Sequence, residues 1–227
     1  MTLTVSGLSA TRSGRTILHS TSLTIEPGAR IGLVGLSGSG KSTLGHALLD
    51  DLRRQGKAVA HVPQSPDEAL DPLRSMNFHW HEAQTALGQT EDRERQKALF
   101  EALGLKLTDM HKRPWGWSRG MQQRFVIAMA LMGNPSLLVL DEPTSALDPV
   151  VAANTMALLQ TYLSTRNTAL LLITHDLGLA SQHVDRLLVL AQGRLVEDAP
   201  TVQLLDAPVS AAAKALATHR SWVTLPC

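Results

Sequence analysis

The run Gly35-Leu36-Ser37-Gly38-Ser39-Gly40-Lys41-Ser42 constrains this chain more than any other feature. It fits G-x-x-x-x-G-K-[ST], the loop that wraps phosphate with backbone N–H groups. By average usage, four fixed positions coincide by accident in roughly one chain in a hundred of this length. Context narrows the odds further. Arg30-Ile31-Gly32-Leu33-Val34 reads as a strand before the loop, and Lys41 to about Arg53 reads as a helix after it. A helix N-terminus adds partial positive charge at the loop. Lys41 would reach the β- and γ-phosphates, and the Ser42 hydroxyl would ligate Mg²⁺. The expected phosphate-binding set is Gly35, Ser37, Gly38, Ser39, Gly40, Lys41, Ser42 and Thr43.

A second half-site follows. Leu137-Leu138-Val139-Leu140 is an apolar strand ending in Asp141-Glu142. Buried strands of an α/β sheet deliver their C-terminal residues to the ligand crevice. Asp141 would hold Mg²⁺, and Glu142 would polarise the attacking water as general base. Acidic residues also cap ordinary exposed strands. The upstream phosphate loop favours the functional reading.

The remaining pattern alternates strands and helices. Residues 2 to 34 read as strands; Ala58 to Val62 and Leu170 to Thr174 are further strands, and Val150 to Leu163 is a helix. Leu187 to Leu190 and Arg194 to Val196, joined by Gln192-Gly193, read as a hairpin. Between about 73 and 133 the chain turns helical, with an amphipathic helix at Glu91 to Leu103 and another at Gly120 to Met132. The alanine-rich stretch from Val202 onward is expected to be helical. Lysine and arginine (21) balance aspartate and glutamate (20), so no strong field points to nucleic acid. The chain has no run of about 18 apolar residues and no leader-like start, so neither a membrane span nor a secretory signal is expected. The lone Cys227 fits a reducing compartment.

Gln64, Ser118-Arg119-Gly120-Met121-Gln122, Leu140-Asp141-Glu142, Ser145-Ala146-Leu147-Asp148 and His175 follow the phosphate loop in order. In this the chain resembles the ATP-binding subunits of ABC transporters, over residues 2 to about 210. Gln64-Ser65-Pro66-Asp67-Glu68-Ala69-Leu70-Asp71-Pro72 and Met121-Gln122-Gln123-Arg124 are similar in more detail to the peptide/nickel/metallophore importer group. The resemblance implies an α/β fold, the ABC ATPase cassette. That is a P-loop NTPase core sheet with an inserted helical subdomain and a short antiparallel β subdomain. Residues 1–72 and 134–200 would form the core, about 73–133 the helical signature subdomain, and 201–227 a helical tail. The resemblance further implies that Gln64 contacts the Mg²⁺ or the attacking water, and that His175 touches the γ-phosphate and orients Glu142. Ser118 and Gly120 would donate to ATP on an opposite subunit, and Asp148 would lie across that interface. The implied cofactors are ATP and Mg²⁺. The implied partners are a second ATPase subunit, two transmembrane permease subunits and an extracytoplasmic solute-binding protein, with no nucleic acid. The place would be the cytoplasmic face of the membrane. A soluble non-transport ABC ATPase or a degenerate nucleotide-binding regulator is the alternative.

The chain departs from the family pattern in places. Arg119 stands where the signature L-S-G-G-[QM] has its first glycine; it would crowd a phosphate, making one of two ATP sites poor, or supply charge to it. Arg12 occupies about the position of an adenine-stacking aromatic; a guanidinium can also stack on a base, and a solvated arginine is the equal alternative. The 22 positions 42–63 between Lys41 and Gln64 are few, so the antiparallel region should be trimmed. The C-terminal iron–sulfur cysteines of longer members are missing. His79-Trp80-His81 reads as ordinary structure rather than a metal pair, and Trp115 and Trp117 are expected to pack the signature loop.

Overall fold

The computed structural model describes residues 1–145 and 147–218. Ala146 and residues 219–227, with Cys227 and the end of the expected tail, lie outside the described residues. In chain order the elements are β1 (Leu3–Arg12), β2 (Arg15–Ile25), β3 (Arg30–Val34), α1 (Lys41–Arg54), β4 (Val59–Val62), α2 (Met76–Ala86), α3 (Arg93–Ala102), α4 (Arg119–Met132), β5 (Leu137–Asp141), α5 (Pro149–Ser164), β6 (Ala169–Thr174), α6 (Leu177–His183), β7 (Arg186–Ala191), β8 (Arg194–Pro200), α7 (Thr201–Asp206) and α8 (Ala211–Thr218).

Six strands form the central sheet in the order β4-β5-β6-β3-β7-β8. The first five run parallel, and β8 returns antiparallel to β7. Strands β5 and β6 are buried at every position, which is why their sequences read as unbroken apolar runs rather than alternating ones. Their residues still divide between two faces. Leu138, Leu140, Leu170 and Leu172 join one apolar cluster, and Leu137, Val139, Leu171 and Ile173 join another. The second cluster is closed by α1, through Leu44, Leu48, Leu49 and Leu52, and by the buried alternate residues of β1 and β2. Among the described residues the antiparallel sheet apart from the core consists of β1 and β2 alone, in line with a trimmed region.

The first cluster carries the helical stretch. Trp80 of α2, Phe100 of α3 and Phe125 of α4 meet with ring centroids 5.3 to 6.1 Å apart, and Trp117 stacks edge-on against Phe125 at 5.5 Å. Helix α3 starts two residues later than its periodicity suggests, because the Asp92 side chain accepts from Arg95 N at 2.9 Å and caps it. The described part of the tail holds two helices, α7 and α8. Pro208 disfavours helical geometry at Ala207, and Glu197 takes the freed N–H groups of Val209 and Ser210 at 3.0 and 2.8 Å.

Candidate nucleotide site

The loop between β3 and α1 has a backbone that side chains would spoil. Gly38 and Gly40 sit at φ 75° and 101°, in the left-handed region, and Gly40 is the N-cap of α1. A Cβ on Gly35 would run into the Leu190 carbonyl, with Ser39 Oγ also 2.8 Å away. The loop is braced from the β7–β8 turn: Gly193 N donates to Ser39 O at 2.9 Å, and His19 N donates to Gly193 O at 2.8 Å. Lys41 is buried, and its Nζ donates to the Gly35 and Leu36 carbonyls at 2.9 and 3.2 Å. Burial pushes its pKa down, and the carboxylates of Glu142 and Asp141 oppose that shift. Ser39 Oγ is buried with no partner among the described residues. An orphaned hydroxyl inside a glycine cradle beside a buried ammonium fits a phosphate chain. Ser42 is exposed on the first turn of α1 and Asp141 is buried at the end of β5. This hard-oxygen donor set suits Mg²⁺.

Immediately after β5, Glu142 adopts φ 43°. A non-glycine residue there carries strain of about 1–3 kcal/mol, which persists where surroundings impose it. Here the Glu142 N–H donates to Ile173 O at 2.9 Å, and its side chain is held at both oxygens. His175 Nδ1, just past β6, lies 2.9 Å from Oε1. Gln64 Nε2, just past β4, donates to Oε2 at 3.3 Å and to Ser145 Oγ at 3.4 Å. Three parallel strands thus bring Gln64, Glu142 and His175 together at their C-terminal ends. Ser145 joins them without having been expected there, although it lies in a run the sequence singles out.

A profile of the family described as ABC transporter matches residues 18–145. The nickel import ATP-binding protein NikD of Rhodospirillum rubrum is 35% identical in a match that covers 90% of this chain and 88% of the relative. The chain belongs to the ABC transporter ATPase family. Two solved structures share its fold. The cbiO1 protein of Clostridium perfringens, part of the ABC transporter complex cbiONQ, matches with a TM-score of 0.75 at 23% identity, covering 90% of each chain. An ATP-binding cassette in a dimeric post-hydrolysis state with ADP and Pi matches with a TM-score of 0.72 at 22% identity, covering 88% of this chain and 99% of that one.

Other expected site residues of this ABC ATPase have local duties. Ser118 caps α4, accepting from Met121 N at 3.3 Å. Asp148 caps α5, accepting from Val151 N at 3.0 Å. Gly120 is buried where a Cβ would strike Val151, so α4 and α5 can approach closely. Arg12 ends β1 opposite Arg15, exposed, with no side-chain hydrogen bond or ion pair among the described residues. Arg119 is not free. Its guanidinium forks onto Asp67 at 2.6 and 2.7 Å, a pairing that holds the Asp67 carboxyl below its usual range. Expectation fails for Trp115, which is 64% exposed beneath the Arg113 guanidinium rather than packed into the signature loop. Trp117 is buried and donates from Nε1 to Asp109 O at 3.2 Å. His79 contacts the Asp71 carbonyl at 3.1 Å, and Trp80 belongs to the core.

Proposed function

We propose that this ABC ATPase powers a membrane importer of the peptide/nickel/metallophore kind, hydrolysing ATP at the Lys41 loop. The observation that carries the chemistry is Glu142, strained at φ 43° and gripped through both oxygens by Gln64 and His175. The loop N–H groups and Lys41 bind the phosphates. Lys41 can exchange its two carbonyl acceptors for phosphate oxygens, which are stronger charge-assisted partners. Glu142 accepts the proton of the attacking water as its oxygen bonds to the γ-phosphorus, and the bond to the β–γ bridging oxygen breaks. His175 orients Glu142 and reaches the γ-phosphate; Gln64 steers the water. Ser42, Asp141 and Gln64 would hold Mg²⁺, which supplies charge neutralisation across the phosphates.

Cargo and partners rest on kinship with the nickel import protein NikD. Among the described residues no helix is long and apolar enough to cross a membrane. We assign two permeases, a solute-binding protein and a second ATPase subunit as partners, with the chain peripheral on the cytoplasmic face. Ser118, Gly120 and Asp148 would meet the second subunit's nucleotide, and Arg12 the adenine. Deleting the chain from its host should lower accumulation of radioactive nickel at least severalfold, restored by the wild-type copy. Unchanged nickel uptake with impaired peptide uptake would reassign the cargo, and no change in either would remove the importer role.

A further inference from the structure

Arg119 links two segments 52 positions apart, and one of them follows directly on Gln64, which touches Glu142. Its Nη1 and Nη2 donate to the two carboxylate oxygens of Asp67, and Nη2 also lies 3.3 Å from Ser65 Oγ. The segment it grips is already a closed unit. Ser65 Oγ accepts from Asp67 N, and Ser65 N donates to Glu68 Oε1 at 3.2 Å, a capping box around the Pro66–Glu68 turn. Gln64, which touches Glu142, immediately precedes that unit. On the other side Arg119 is the first residue of α4, next to the cap Ser118. The neighbouring Gln122 is buried and donates to the Pro114 and Trp117 carbonyls at 2.8 and 3.1 Å. Hydrogen bonds thus join Glu142 to Gln64 and the turn to the start of α4, and the chain itself joins Gln64 to the turn.

Two exposed partners contribute little to stability, because solvent screens them. Arg119 and Asp67 are 42% and 67% exposed at the side chain. What a planar fork adds is fixed geometry. We propose that Arg119 is a positioning residue for ATP hydrolysis: it clamps the Ser65–Glu68 turn to the start of α4, so that Gln64's hold on Glu142 and the setting of Ser118 change together. The glycine usual at this position has no side chain to make such a tie. The inference rests on the ATPase reading above.

The test is a double-mutant cycle on the full-length protein, reading steady-state turnover of ATP–Mg²⁺ and thermal unfolding. Arg119→Gln and Asp67→Asn should each lower kcat by about fivefold, with KM changed by less than about twofold, and the double variant should fall no further than the worse single one. Melting temperatures should stay close to wild type, since a merely structural pair would shift unfolding rather than kcat. Arg119→Lys keeps charge but not the fork and should fall between. Losses that multiply in the double variant, or single variants with wild-type kcat, would overturn the clamp while Glu142-dependent turnover still stood. Turnover that survives Glu142→Gln undiminished would overturn the ATPase reading and this inference with it.

Discussion

Glu142→Gln is expected to cut ATP turnover by about 10² or more while leaving ATP binding in place, the usual scale for losing a general base. That corresponds to about 2.7 kcal/mol of transition-state stabilisation. The amide keeps the size of the side chain and can still pair with His175 and Gln64, which contact the two carboxylate oxygens at 2.9 and 3.3 Å. Only the capacity to take the water's proton is lost. The proposed phosphate-binding groups lie on a separate segment, from Gly35 to Thr43, so affinity should hold. Phosphate release measured beside equilibrium ATP binding separates the two effects. Turnover within twofold of wild type would remove Glu142 from the chemistry.

Phe125→Ala should destabilise the fold by about 3–5 kcal/mol, the range for emptying a large aromatic site in a packed core. Phe125 is fully buried at the middle of the aromatic cluster, touching the rings of Trp80, Phe100 and Trp117. Those rings come from α2, α3 and the loop before α4, so no single neighbour can collapse into the space. Denaturant unfolding at equilibrium gives the number. A loss under about 1 kcal/mol would show that α4 is not anchored through this ring.

Local chemistry makes most of the central sheet legible in the residues themselves. Unbroken apolar runs at 137–140 and 169–173 announce strands buried on both faces, and Gln192-Gly193 announces the β7–β8 turn. Glycine spacing likewise gives the phosphate loop away, because Gly38 and Gly40 take φ values that side chains resist. Pairings between distant segments are not legible in this way. Nothing near Arg119 in the chain points to Asp67, since a surface ion pair leaves no periodicity. Trp115 and Trp117 are two positions apart in one short turn, and only tertiary packing decides that one is buried and the other exposed. Ser118 and Asp148 illustrate a further limit. Each is a good N-cap residue by type, so the same letters that suggest a nucleotide contact also suit a helix end.

Binding of ATP–Mg²⁺ at the Lys41 loop is the claim on which everything else depends, and calorimetric titration of wild type beside Lys41→Ala tests it most directly. Lys41 Nζ sits within 3.2 Å of two loop carbonyls, in place to meet the phosphates. A charge-assisted contact of this kind is worth about 1.5–3 kcal/mol, so the variant should bind ATP at least about tenfold more weakly. Equal affinity in the two proteins would contradict the account.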